Sequence, residues 1–241
     1  MLIKLILIFL IAFIGSVLQN TIGFGIIIIM MAIMPTILPP QESVFISLVS
    51  GCVLSWWMLV GAWHHIDWKK SIILILCSGA SVICGLLLVR NLSDTVYMKI
   101  LAVLLVLLCI WMLRFADRVR IRACSRNGVI FGLLSGVMGA LFAVGAPPLA
   151  LYYSATTEDK EDYTACLQIT LAIQTTLNIC ARATMNLIPG NVWLLCLIAV
   201  IGVVLGKFPG KWIYGKLNVD TVKKLIYIFI GIMGLYMFFS N

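Results

Sequence analysis

Residues 163–188 read YTACLQITLAIQTTLNICARATMNLI. Wound as an α-helix at roughly 100° per residue, this stretch gathers its polar side chains into one sector of about 80°. These polar side chains, which we call the polar seam, belong to Thr164, Gln168, Thr175, Asn178, Arg182 and Asn186. The rest of the helix surface is largely leucine, isoleucine, alanine, cysteine and methionine. Inside a bilayer such a seam has to face protein or water, so the stretch predicts a pocket or path through a membrane.

The composition of the chain favours a membrane protein throughout. The 241 residues are 63% hydrophobic and 11% charged, with a mean hydropathy of +1.13, whereas soluble domains are about 45–50% apolar and about 25% charged. Apolar stretches of roughly 18–25 residues, long enough to cross about 30 Å of hydrocarbon, recur along the chain. They lie at approximately 5–38, 43–63, 71–90, 96–113, 128–155, 163–187, 192–207 and 221–239. We therefore predict an all-α, polytopic integral membrane protein with about eight transmembrane helices.

The formal charge of +8 is carried by short loops between the predicted spans, which argues against nucleic-acid binding. Basic loops of this kind mark the cytoplasmic side of a membrane. Lys69 and Lys70 follow the second span, and the loop between the fourth and fifth spans is rich in arginine. An even number of crossings separates these two loops, so both are predicted to be cytoplasmic. By the same count, the acidic loop at residues 158–162 is predicted to lie outside.

An internal duplication divides the predicted spans into two halves. Ser93-Asp-Thr-Val96 precedes the fourth span, and Val219-Asp-Thr-Val222 precedes the eighth. Duplicated halves of this kind are common in secondary transporters. The predicted organisation is a first transmembrane repeat at residues 1–116, a basic connecting loop at 117–127 and a second repeat at 128–241.

The first helix of each predicted half is interrupted by glycine, proline or polar residues. The residues of these two breaks are Gln19, Asn20, Thr21, Gly23 and Gly25 in the first half, and Gly139, Gly145, Pro147 and Pro148 in the second. Backbone that has left the helical hydrogen-bond pattern cannot face lipid and must line a cavity. We therefore predict two broken helices near the midplane, whose half-helix N-termini would suit an anion. Close helix packing through small residues is the alternative interpretation of the glycines.

Arg182 is the charged residue that lies well inside a predicted core helix, and its guanidinium matches the paired oxygens of an oxyanion. The alternative is that it reaches the interface or a lipid phosphate. Gln168, Thr175 and Asn178 share its face and can donate hydrogen bonds to an anion. A second, weaker seam on the second span contains Ser50 and Trp57, which wall the same cavity or simply pack against neighbours.

The chain resembles the sulfite exporter TauE/SafE family, also called the toluene sulfonate uptake permeases. The resemblance lies in the two predicted halves, the glycine-rich openings at 15–25 and 132–145, Tyr152-Tyr153, and the sequence His65-Ile66-Asp67-Trp68. It implies a multi-pass protein of the bacterial inner membrane that carries sulfite, sulfonates or related sulfur-containing or carboxylate anions.

These features together predict a secondary transporter of small anions. A membrane-embedded subunit or assembly factor without transport activity of its own is the alternative. An enzyme is not predicted, because no nucleophile, metal ligands or acid–base pair converge at one depth. The expected partners are a small anionic substrate and the lipid bilayer, with no nucleic acid, cofactor or metal. A homo-oligomer is one of the arrangements that the small-residue faces allow.

Overall fold

The computed structural model describes residues 2–90, 92–114, 124–213 and 219–240. Of residues 21, 22, 112, 114, 210–213, 219–227 and 240 it describes the backbone alone. The described residues form ten α-helices, two short 3-10 helices and no strand. The α-helices are α1 (Leu2–Ile22), α2 (Ile26–Ile33), α3 (Pro40–Val60), α4 (Trp68–Val89), α5 (Asp94–Arg114), α6 (Ser125–Phe142), α7 (Ala146–Thr156), α8 (Lys160–Thr184), α9 (Trp193–Ile213) and α10 (Val219–Ser240).

The predicted all-α class is confirmed. Six of the described helices, α1, α3, α4, α5, α6 and α8, contain segments long and apolar enough to cross a membrane. The larger number of eight spans stays a prediction.

The chain forms two compact units that do not follow its order. The first contains residues 1–50, 92–118 and 189–241, and the second contains residues 51–91 and 119–188. Residues 115–123, most of the predicted connecting loop, lie outside the described part of the chain. The division into repeats at residues 1–116 and 128–241 therefore stays a prediction.

Close approach at glycines holds the first unit together. A β-carbon added at Gly202 in α9 would lie 2.6 Å from the carbonyl oxygen of Phe9 in α1. Further along both helices, a β-carbon added at Gly206 would lie 2.9 Å from the Cβ of Ser16, whose hydroxyl donates to the carbonyl of Val203 at 2.7 Å. Since contacts advance in the same direction along both helices, α1 and α9 run parallel.

Glycines also set the contact between α4 and α6 in the second unit. A β-carbon at Gly132 would lie 3.2 Å from the Cα of Leu74, and one at Gly85 would lie 2.6 Å from the Cβ of Ala140. Residue numbers rise together along both helices, so α4 and α6 run parallel.

The seam-bearing helix α8 runs in the same direction as α4. Cys166, near the start of α8, accepts a hydrogen bond at 3.3 Å from the backbone N–H of Asp67, which lies at the start of α4. Further along, Leu177 lies 2.9 Å from the position of a β-carbon added at Gly79.

Helix α7 turns back along α6 instead of continuing it. The rings of Phe131 and Tyr152 have centroids 6.0 Å apart, and the Ser135 hydroxyl donates to the Gly145 carbonyl at 2.7 Å. Along these contacts the residue numbers of α7 rise while those of α6 fall, so the two helices form an antiparallel hairpin. The prediction that residues 128–155 form one broken helix that crosses the membrane once is therefore wrong, because α7 reverses the direction of α6. A break in an apolar run marks where the chain can turn, but it does not say which way the chain goes next.

The end of α7, the start of α8 and the start of α4 lie together. The ammonium of Lys70 donates to the carbonyl of Thr156 at 3.0 Å. The imidazole of His65 lies 3.0 Å from a carboxylate oxygen of Glu161 and 3.2 Å from one of Asp162. Side chains in contact cannot be separated by a bilayer about 30 Å thick. The expectation that Lys70 and the acidic loop at 158–162 occupy opposite faces is therefore wrong.

Asp67 begins α4 as an N-cap. Its side chain accepts hydrogen bonds from the backbone N–H groups of Lys69 and Lys70 at 3.0 and 3.3 Å, and pairs with the Lys70 ammonium at 3.2 Å. Partial burial acts to raise the pKa of this carboxyl, but the bonds and charge from Lys70 and the Lys69 amide outweigh it and lower the pKa below its ordinary value of 3.8. The ionised carboxylate thus stabilises the helix start.

The hairpin predicts which positions are labelled from one side of the membrane. In a cysteine-depleted protein in sealed vesicles, Lys69→Cys and Glu158→Cys should both react with an impermeant maleimide added to the same side. Arg90→Cys, at the far end of α4, is the matched control and should react from the other side. All three native side chains are exposed. Labelling of positions 69 and 158 from opposite sides would mean that residues 125–156 cross the membrane once.

Candidate functional site

The polar seam of α8 is mostly buried. Gln168, Thr175, Asn178 and Arg182 are all less than 5% exposed, and Arg182 is 0% exposed. At the two ends of the seam, Thr164 is half-buried and Asn186 is exposed beyond the end of the helix. The seam therefore faces protein over its central part, which is one of the two surroundings, protein or water, that the helical pattern predicted.

Arg182 and Asn178 bind the carbonyl end of α6. The Arg182 guanidinium donates from Nη2 to the Ala140 carbonyl at 2.8 Å and from Nε to the Asn178 side-chain oxygen at 3.1 Å. Asn178 in turn donates to the Gly139 carbonyl at 2.8 Å. The last four carbonyls of a helix have no partner within it, and a cation there also interacts favourably with the helix dipole. These two side chains thus cap α6 from the neighbouring helix.

The turn between α6 and α7 is short and adapted to burial. Ala143 adopts a left-handed conformation with φ 60° and bonds back to the Gly139 carbonyl at 2.9 Å. Gly145 is the N-cap of α7, and buried Pro147 and Pro148 follow at its second and third positions. Proline has no N–H, so only Ala146 among the first three residues of α7 carries an amide hydrogen. The helix can therefore begin in a buried place with few donors left without acceptors.

Gln174 of α8 also contacts this turn, and it was not among the predicted site residues. Its side chain donates to the Ser135 carbonyl at 2.8 Å, and the Ser135 hydroxyl lies 3.2 Å from its oxygen. On the helical projection it falls about 40° beyond the edge of the predicted seam. Its spacing of four residues from Asn178, which itself lies four residues before Arg182, is the signal that would have identified it.

The other predicted residues of α8 differ in their surroundings. Gln168 is completely buried. The hydroxyl of Thr175 donates to the carbonyls of Leu171 and Ala172, at 2.7 and 3.2 Å, within its own helix. The structure thus brings Gly145, Asn178 and Arg182 around one turn, with Pro147 in the adjoining first turn of α7.

The first predicted break lies in the first unit. The side-chain oxygen of Gln19 accepts from the first amide of α2, that of Ile26, at 3.3 Å, and Asn20 donates to the Ser16 carbonyl at 2.8 Å. Gly23 and Gly25 have φ of 95° and 128°, where glycine is strongly favoured over residues with a side chain. The side chain of Thr21 lies outside the described residues.

The two predicted residues of α3 belong to different units. Ser50 is buried in the first unit, and its hydroxyl has no hydrogen-bond partner among the described residues. Trp57 belongs to the second unit and is 40% exposed.

Two sources of positive potential lie at the α6–α7 turn, next to the negative, carbonyl end of α6. The N-terminus of α7 carries the positive end of a helix dipole, and the Arg182 guanidinium is fully buried beside the end of α6. Low-polarity surroundings strengthen the field of such groups. Among the described residues, no group of three or more His, Cys, Asp or Glu side chains is placed to hold a metal ion. The turn thus places a buried cation and the positive end of the α7 dipole beside the carbonyl end of α6.

Comparison with known proteins identifies one family. The model of the family described as "Sulfite exporter TauE/SafE" matches residues 8–237. This match confirms the resemblance drawn from the glycine-rich openings and the flanking motifs. No curated protein and no solved structure matches the chain.

Proposed function

Because the chain belongs to the sulfite exporter TauE/SafE family, we propose that it is a secondary carrier of sulfite, sulfonates or related sulfur-containing anions. Membership makes it a multi-pass membrane transporter, and we propose no enzymatic activity for it. We propose that it lies in the cell membrane, which in bacteria is the inner membrane. The substrate, the binding site and the direction of transport are parts of this proposal.

The observation that carries the proposal is the buried guanidinium of Arg182. It is 0% exposed, and the hydrogen bonds described for Nε and Nη2 go to neutral acceptors, an amide oxygen and a backbone carbonyl. Transfer of a charge into a membrane protein is costly, and charged residues there commonly mark substrate or ion pathways. An anion that approached the α6–α7 turn would be attracted by this charge and by the α7 dipole.

The depth of the α7 start supports a site near the middle of the membrane. Gly145 lies against Ser135, which is ten residues after the start of α6 at Ser125. At 1.5 Å per residue, that is about 15 Å along the helix, or about half of a hydrocarbon layer of roughly 30 Å.

The proposed substrate contacts extend beyond this turn. In the second predicted half they are Gly145, Pro147, Gln168, Thr175, Asn178 and Arg182, and in the first half Gln19, Asn20, Thr21, Gly23, Gly25 and Ser50, with Trp57. We propose that the two halves are homologous and that each begins with two helices joined by a short connection, α1–α2 in one and α6–α7 in the other. Both connections contain residues with positive φ.

Export can be driven by the membrane potential. A monovalent anion that leaves a cell with a negative interior gains about 2.3 kcal/mol per 100 mV. Uptake of the same anion against that potential would need a coupled ion. We therefore propose export as the physiological direction.

Flux through the purified protein in liposomes tests this function. We expect labelled sulfite, or a member of a panel of small sulfonates and carboxylates, to move at a rate that depends on an imposed potential. Liposomes without protein provide the baseline, and a thermal unfolding transition shows that the protein is folded. Folded protein that moves none of these anions would contradict the proposal. It would favour the alternative, a membrane-embedded subunit or assembly factor without transport activity of its own.

A further inference from the structure

Gln174 fills the space between the two arms of the α6–α7 hairpin. It is 3% exposed. A β-carbon added at Gly139 would lie 2.6 Å from its side-chain nitrogen, and one added at Gly145 would lie 2.8 Å from the same atom. The side chain therefore occupies volume that two glycines leave open, one near the end of α6 and one at the start of α7.

Hydrogen bonds fix Gln174 in this place. Its amide nitrogen donates to the Ser135 carbonyl at 2.8 Å. The Ser135 hydroxyl lies 2.7 Å from the Gly145 carbonyl and 3.2 Å from the Gln174 oxygen. A hydroxyl carries one hydrogen, which these two acceptors share. Gln174 and Ser135 thus join three segments: α8, α6 and the start of α7.

This bridge sets the position of the α7 N-terminus. Ala143 bonds within the turn to the Gly139 carbonyl, the same carbonyl that accepts from Asn178. The Gly145 carbonyl is held by the Ser135 hydroxyl, which in turn bonds with the Gln174 side chain, so this bridge ties the start of α7 to α8. A change at Gln174 would therefore move α7 relative to Arg182 without removing either source of positive potential.

We propose that Gln174 is a positioning residue for anion binding, which holds the start of α7 at the distance from Arg182 that an anion requires. This inference rests on the proposed carrier function. Both polar atoms of the side chain bond to Ser135, so Gln174 acts on the anion through the hairpin and is distinct from the proposed contact residues.

Sulfite flux in liposomes, measured over a range of concentrations, tests the proposal. Gln174→Ala should raise the KM for sulfite about tenfold, the effect of losing one buried hydrogen bond, while Vmax changes by less than about twofold. Ser135→Ala should act in the same direction, and the double variant should be no worse than Gln174→Ala, because both changes break one bridge. Thr184→Ala, at an exposed position of the same helix, is the matched control and should behave as wild type.

Hydrogen–deuterium exchange provides a readout that is independent of transport. Backbone amides of residues 143–153 should exchange faster in Gln174→Ala than in wild type, since the anchor of the α7 start is lost. If wild type moves no sulfite, the proposed substrate fails while this exchange result still tests the bridge. The positioning role is overturned if wild type transports sulfite and Gln174→Ala has the same KM as wild type. That conclusion holds whether or not the exchange rates, Vmax or stability of the variant change.

Discussion

Gly136→Ala is expected to destabilise the protein more than any other single methyl addition in the second unit. The added β-carbon would overlap the carbonyl oxygen of Ser78 and the hydroxyl of Ser81, and would lie 2.9 Å from the Ser78 carbonyl carbon. Because backbone atoms cannot rotate away as a side chain can, α4 and α6 would have to separate. Overpacking of this kind costs about 1–3 kcal/mol. For a chain of this size that corresponds to roughly 2–12 °C in the unfolding temperature.

The unfolding temperature in detergent measures the effect. Substitutions at two further glycines provide smaller expected losses for comparison. At Gly132 the nearest atoms would be 2.9 Å away in the side chain of Cys77 and 3.2 Å away in the backbone of Leu74, so Gly132→Ala should lose less stability. At Gly61 the nearest atom would be 4.0 Å away, so Gly61→Ala is the control and should unfold as wild type. If Gly136→Ala unfolded at the wild-type temperature, the close parallel contact of α4 and α6 would be wrong.

Arg182→Gln is expected to have the largest effect on transport. The change removes the buried charge at the α6–α7 turn and leaves the Ala140 carbonyl without its bond from Nη2. Since hydrogen bonds to charged groups contribute about 1.5–3 kcal/mol, the KM for sulfite should rise roughly tenfold to a hundredfold. Concentration-dependent flux in liposomes provides the measurement.

Two further variants test whether the charge at position 182 is what determines the KM. Arg182→Lys keeps the charge but loses the planar donor fork, so its KM should lie between wild type and Arg182→Gln. Arg90→Gln makes the same chemical change at the exposed C-cap of α4 and should leave KM unchanged. A KM equal to wild type in both Arg182 variants would exclude a role for this charge in anion binding.

Several parts of the candidate site could be predicted from local sequence. The seam of α8 was predicted because Asn178 and Arg182 repeat at helical spacing on an otherwise apolar helix, and both are buried in the structure. Gly23 and Gly25 marked a turn, and both have positive φ. Gln174 was missed because it lies outside the sector that periodicity defines, and its role depends on the space left by Gly139 and Gly145.

The sequence by itself determined the all-α class, the membrane setting, the seam on α8 and the family. These depend on composition, the length of apolar runs, helical periodicity and short motifs, all of which are local along the chain. The tertiary structure alone decided that α7 turns back along α6, that Glu161 lies beside His65, and that Arg182 binds the carbonyl end of α6. Those facts depend on contacts between residues far apart in the chain. An apolar segment of given length satisfies a bilayer equally well in either direction, and a buried polar side chain can satisfy its hydrogen bonds with any partner that packing brings close.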